Sequence, residues 1–117
     1  MNREEVIGVL SAWVRDEQDE ASVWAWAQSA KAQRSVQDVP VQDVLVRDVI
    51  DVLEAMPFDL IDKEDAAVML DALSNPVDEA DLGQNLVWNH LDAIDTDERR
   101  RRYREHPFYG PYSGDVV

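Results

Sequence analysis

The run from Val41 to Met56 constrains the fold more than any other stretch, because no other segment is both long enough and apolar enough to lie at the centre of a core. On a helical wheel at about 100° per residue, Val41, Leu45, Val46, Val49, Ile50, Val52, Leu53 and Met56 cover roughly half the circumference. Asp43, Arg47, Asp48, Asp51 and Glu54 take the other half, which reads as solvated surface. An apolar face that wide needs cover from at least two sides, so the neighbouring segments are expected to pack around this helix. The β-branched residues leave a second reading open, a strand through Val39 to Val46. The separation into apolar and polar halves favours the helix. Val36-Gln37-Asp38-Val39, Val41-Gln42-Asp43-Val44 and Val46-Arg47-Asp48-Val49 echo one another at a spacing of five. That period suits neither helix nor strand and reads as a coding duplication, not an architectural repeat.

Upstream, Asn2 with Glu5 makes a capping-box pattern, and Val6, Val9, Leu10, Trp13 and Val14 follow at helical spacing, which predicts a first helix over about 3–15. The polar residues 15–20 read as a turn. Asp19 then caps a second helix to about Gln33, with Val23, Ala27 and Ala30 inward. Trp24 and Trp26 lie about 200° apart on it, so they cannot both face one core, and one belongs at an edge or an interface. Residues 34–40 read as a linker, with Pro40 suited to the first turn of the central helix. Pro57 stops that helix, since the residue before a proline is pushed out of the α region. Asp62 with Asp65 caps a fourth helix carrying Ala66, Met69, Leu70 and Leu73, which ends at Ser74-Asn75-Pro76. A fifth, from about 77 to 94, carries Leu82, Leu86, Val87, Leu91 and Ile94, broken only by Gly83. Asp95 with Glu98 caps a short sixth. The stretch from His106 to Gly114, with two prolines and two glycines, cannot continue as an α-helix. The expectation is an all-α, single-domain bundle of five or six helices around a central helix at about 41–56. Residues 1–105 form the helical domain, and 106–117 an irregular aromatic tail packed on it or extending from it.

A chain of 117 residues can bury a core of its own without a metal or a crosslink. It has no cysteine, which excludes disulfides, thiolate metal sites and a cysteine nucleophile. It has no apolar run of about 18 residues for a membrane span and no signal-peptide pattern, so a cytoplasmic protein without membrane contact is expected. The formal net charge is −14, and the base is concentrated while the acid is spread: residues 1–96 hold 21 acidic and 6 basic side chains, against five arginines between Arg99 and Arg104. Such a field repels nucleic acid and favours encounter with a basic partner. Sixteen of the acids are Asp and Lys occurs only twice, a pattern that salt adaptation or GC-rich coding also produces.

Chemistry-bearing patterns are sparse. His90 and His106 have Asp92 and Glu105 as sequence neighbours, but no His-x-x-x-His or Glu-x-x-His spacing marks a metal site, and neither metal nor cofactor is expected. His90 reads as a surface or half-buried hydrogen-bonding residue. No serine or threonine lies in a nucleophile-elbow context, and the four glycines are too scattered for a phosphate loop. With 25 acids, carboxylate pairs carry no information. A non-enzymatic role follows. Four consecutive arginines point in all directions round a helix, so some are expected to meet carboxylates of the fourth or fifth helix. An acidic partner surface and nucleic acid are the other readings of that run. Phe108, Tyr109 and Tyr112 either fold back over the bundle or serve, with Trp24 or Trp26, as interface anchors.

Leu10-Ser11-Ala12-Trp13 and Ala21-Ser22-Val23-Trp24-Ala25-Trp26-Ala27 resemble the first helix pair of small acidic bacterial proteins of unknown function. The acidic, cysteine-free helical build is similar to that of bacteriocin and contact-dependent-inhibition immunity proteins. The resemblance implies a binding protein whose acids block a basic toxin surface. The arginine run and the aromatic tail depart from it, so no functional residue is carried over. The reading is a non-catalytic, immunity-like protein-binding module in which Asp16, Glu17, Asp19 and Glu20 meet a basic protein partner, with Trp24, Trp26, Phe108, Tyr109 and Tyr112 as anchors. The alternative is a salt-adapted structural or housekeeping protein with no dedicated acidic binding site. Oligomeric state is not legible at this level.

Overall fold

The computed structural model describes residues 3–37 and 44–112. It is all-α, with no strand among the described residues. Seven α-helices follow in order: α1 (Arg3–Val14), α2 (Glu20–Gln37), α3 (Val44–Glu54), α4 (Met56–Asp59), α5 (Lys63–Leu73), α6 (Ala80–Asp92) and α7 (Thr96–Arg102). Short 3-10 turns occupy Val77–Glu79 and Gly110–Tyr112. The expected capping at Asn2 and the expected helix start at Val41 lie outside the described residues.

The helices bury the faces that their spacing dictates. Val6, Leu10 and Trp13 of α1 are buried, as are Val23, Ala27 and Ala30 of α2, each set at i, i+4 and i+7. α3 buries Leu45, Val46, Val49, Ile50, Val52 and Leu53, and it touches α1, α2, α5 and α6, so it is covered from both sides in sequence. α5 buries Ala66, Met69, Ala72 and Leu73 between α1 and α6. The turn between α1 and α2 is closed by Asp16 at φ 62°, a left-handed conformation that Asp tolerates. Asp19 then accepts the Ser22 N–H at 2.8 Å and starts α2. At the other end of the bundle, Arg3 donates to the carbonyl of Leu73, one of those a helix leaves unpaired at its C-terminus, and to that of Asn75 just beyond α5.

Four details differ from the pattern-based expectation. First, α2 runs on to Gln37, so residues 34–37 belong to the helix instead of a linker. Second, α3 does end at Glu54, but Pro57 also begins something, because its ring fits the first turn of the one-turn helix α4. Third, the polar half of α3 is only partly solvated. Asp48 accepts hydrogen bonds from Gln84 at 2.6 Å and Trp88 at 3.3 Å, while Asp51 and Glu54 share Lys31.

The fourth concerns α6. Its expected stripe included Leu82 and Leu86, yet these are 55% and 44% exposed, while Gly83 and Val87 face inward. The cause is a close approach. A Cβ on Gly83 would stand 2.6 Å from Leu45 Cδ2 and 3.2 Å from the Ala72 carbonyl oxygen. The glycine is therefore a contact surface and not a weak point: α6 lies against α5 and α3 along its smallest side chain, and its leucines are turned outward.

Replacing Gly83 with alanine is expected to lower stability by about 1 kcal/mol, as overpacking against Leu45 and Ala72 outweighs the better helix propensity. An exposed mid-helix glycine would give a gain of similar size, so the sign of the change in a urea melt tests the close approach.

Candidate functional site

The polar heart of the molecule is the turn Leu60–Asp62 and the first turn of α5. Leu60 closes α4 in the left-handed conformation, φ 56°, donating its N–H to Met56 O. A leucine held there costs roughly 1–2 kcal/mol, and the conformation turns the carbonyls of Leu60 and Ile61 toward α7 and the tail. Arg99 Nη1 donates to Leu60 O at 3.0 Å, and the Tyr109 hydroxyl donates to Ile61 O. Asp62 caps α5 by accepting the N–H of Glu64 at 3.0 Å and of Asp65 at 3.4 Å, and Asp65 returns the bond by accepting the Asp62 N–H at 2.9 Å. This is the capping box that the Asp62/Asp65 spacing predicted.

Both oxygens of Asp65 are engaged again on the far side. Oδ1 accepts from His90 Nε2 at 2.7 Å and Arg99 Nη2 at 2.9 Å, and Oδ2 accepts from Arg99 Nη1. Tyr103 donates its hydroxyl to Asp62 Oδ2 at 2.6 Å. Asp65 and Arg99 are 0% and 4% exposed, so this is a buried fork-to-fork ion pair. Burial pushes the Asp65 carboxyl up, but hydrogen bonds from Arg99, the Asp62 N–H and His90 outweigh it and hold the group below its ordinary value. Asp62 goes the other way: burial dominates and raises it. Burial and the bond to Asp62 push the Tyr103 hydroxyl up to about 12. A His–carboxylate pair is the geometry of a general base, but here the carboxylate is bound on both oxygens, and the pair's work is to tie α5, α6 and α7 together.

Three arginines of the run, Arg99, Arg100 and Arg102, pair internally, in line with the expectation that some would. Arg99 is buried on Asp65 and Asp62, Arg102 meets Glu98 at 2.8 Å and Glu64 at 3.4 Å, and Arg100 meets Asp97 at 3.2 Å. His106 lies 3.3 Å from Glu20, and neither histidine meets the carboxylate next to it in sequence. Among the described residues no group of three or more His, Cys, Asp or Glu side chains stands close enough to hold a metal, and no helix is long and apolar enough to cross a membrane.

The sequence-derived binding residues fall into three groups. Asp16, Glu17 and Asp19 are exposed on the α1–α2 turn, with Asp16 paired to Lys63, Glu17 2.9 Å from Arg15 and Asp19 spent as a helix cap. Glu20, Trp24, Phe108 and Tyr112 are brought together. Glu20 holds His106 of the tail, and the Trp24 ring stands 5.6 Å from Phe108 and 5.9 Å from Tyr112 in edge-on contacts, with its N–H donated to Glu54 O at 2.6 Å. Trp24 and Trp26 are both half-buried against the core, because the tail covers Trp24 on a side that α2 alone would leave open. Tyr109 is a correction: at 1% exposure it is a core residue hydrogen-bonded to Ile61 O, and burial removes it from any set of surface anchors.

Two exposed aromatics escaped the pattern reading, Phe58 at 61% and Trp88 at 44%. They wall a cleft of about 370 Å³. α3 supplies Asp51 and Val52, α4 supplies Phe58 and Asp59, and Ile61 follows from the turn. Trp88 and Leu91 come from α6, with Ile94, Thr96 and Arg100 from α7 and its approach. The available signals were a Trp lying off the apolar stripe of its helix and an aromatic directly after the helix-ending Pro57.

Asp65→Asn is expected to cost about 3–5 kcal/mol at neutral pH, since it leaves Arg99 buried beside a neutral group. Because the folded-state Asp65 titrates below 3.8, its contribution is present above that pH and fades as pH falls through the lower folded value. The stability difference between wild type and variant should therefore shrink on acidification from about pH 5 to about pH 2, in denaturant melts taken across that range.

No family model matches the chain, and no curated protein or solved structure shows significant similarity to it.

Proposed function

We propose that the chain is a non-catalytic protein-binding module that meets a basic partner through an acidic surface, in the manner of an immunity protein, and that it works in the cytoplasm. The observation that carries this reading is the exposure of Phe58 and Trp88 on a face that also presents Asp51 and Asp59. Large aromatic surface is costly to leave in water and is enriched at binding hot spots. Acid around it selects a basic partner and speeds the encounter. The net charge of −14 acts in the same direction over the whole molecule. The polar cluster that most resembles a catalytic site, around Asp65, has its groups engaged in joining helices, and that engagement supports a binding role over a catalytic one.

The reading moves the centre of recognition. The acidic turn at Asp16, Glu17 and Asp19 keeps its charge exposed at the margin, while the aromatic surface runs from Trp88 and Phe58 to Tyr112, which lies 5.2 Å from Phe58. Affinity capture with the folded chain from its native cells is expected to recover a protein of basic isoelectric point, released as salt is raised from about 50 mM to about 500 mM. Recovery of chaperones alone, or binding indifferent to salt, would overturn the reading.

A second reading has its own support. Exposed acids are spread over several helices, including Glu4 and Glu5 on α1, Asp71 on α5 and Asp81 on α6, a spread that salt adaptation also produces. A salt-adapted chain should keep gaining stability up to molar salt, beyond the range in which ordinary surface repulsion is already screened. A melting temperature that levels off below about 0.5 M favours the binding module.

A further inference from the structure

We propose that the cleft between α3, α4, α6 and α7 seats an arginine side chain presented by a basic polypeptide. This rests on the basic-partner reading above and adds the place and the chemical group. The cleft combines three things that an arginine uses together. Its apolar lining, Val52, Ile61, Leu91 and Ile94, suits the methylene stem, which buries well while its charged head stays near water. Phe58 and Trp88 offer exposed rings on which a planar guanidinium stacks. Asp51 and Asp59 bring carboxylates from two different helices, the acceptors that a guanidinium fork matches.

The charge balance around the cleft selects the same occupant. The cation lining it, Arg100, is already 3.2 Å from Asp97, an exposed acid on its own helix. Lys31, which approaches Asp51 at 3.8 Å, is divided with Glu54 at 3.4 Å. Asp59 is exposed and brings its carboxylate to the lining, so an anionic ligand would be repelled. A wholly apolar occupant would desolvate Asp51 and Asp59 without returning hydrogen bonds, at a cost that the apolar contact must first offset. Lysine satisfies the charge but lacks the flat face that both ring walls favour. A cleft of about 370 Å³ has room for one such side chain with part of the backbone that carries it.

The test uses the full chain, labelled with ¹⁵N and titrated with nona-arginine and, separately, nona-lysine at low salt. The expected result is a saturable shift centred on the Trp88 indole N–H, which now donates to Asp48, and on the amides of Ile61 and Ile94. Nona-arginine should bind at least about five-fold more tightly than nona-lysine, and Asp59→Asn should weaken it by at least about five-fold while the thermal melt stays unchanged. Trp88→Ala provides a second variant at a half-exposed site, with the same expected loss. Equal affinity for the two peptides, or shifts centred on the α1–α2 turn, would overturn the cleft while leaving the basic-partner reading intact. Binding of neither peptide would overturn both.

Discussion

The buried pair of Asp65 and Arg99 is the contact on which the rest of the arrangement depends. Asp65 sits in the first turn of α5, where it also closes the capping box with Asp62, so its position is fixed by contacts within α5 as well as by Arg99. Arg99 then fixes α7 against α5 and reaches the Leu60 carbonyl, and Tyr103, one turn further along, is directed onto Asp62. Tyr109 follows from the same cause, since its hydroxyl meets the adjacent Ile61 carbonyl. A buried ion pair contributes little net stability relative to an apolar replacement. Its consequence here is registry: one strained turn at Leu60 offers acceptors in a fixed order, and α7 and the tail as far as Tyr109 dock on them.

The cleft is the by-product of two small features. Pro57 starts a one-turn helix directly after α3, and this short element projects Phe58 outward and leaves Asp59 beside it. Gly83 sets the rotation of α6, bringing Val87 to the interior, His90 onto Asp65, and Gln84 and Trp88 over α3, where both donate to Asp48. With a bulkier residue at position 83, α6 would stand further from α5 and Leu45, and the Trp88 wall would move with it. The cleft is thus placed by a proline and a glycine, while the large apolar residues supply the cohesion.

The tail shows how one segment takes two roles. His106 accepts the N–H groups of Phe108 and Tyr109 on its Nδ1 and faces Glu20 with its Nε2, so the tail is folded by its own histidine and tied to the start of α2. Tyr109 then closes the core, and Tyr112 stays at the surface beside Phe58 and Trp24. Core closure thus falls to Tyr109, while Tyr112, three residues on, remains exposed.

The class of fold was legible because it depends on local periodicity. Apolar residues at i, i+3, i+4 and i+7 in α1, α3 and α5, and the Asp62/Asp65 and Asp95/Glu98 caps, need no knowledge of partners. That some arginines would turn inward was legible too, since four in a row cannot share one face. Which one did so was not: Arg99 to Arg102 are equivalent in sequence, and only the height of α7 against α5 selects Arg99. The same limit applies to Leu82 and Leu86, an apolar pair whose outward orientation follows from a contact between Gly83, Ala72 and Leu45. It applies again to Phe58 and Trp88, residues 30 positions apart that line one cleft. The sequence alone determined which segments are helical and which faces are apolar, because those properties are summed over adjacent residues. Only the tertiary structure decided which charges are buried and which aromatics remain exposed, because that depends on distances between segments far apart in the chain.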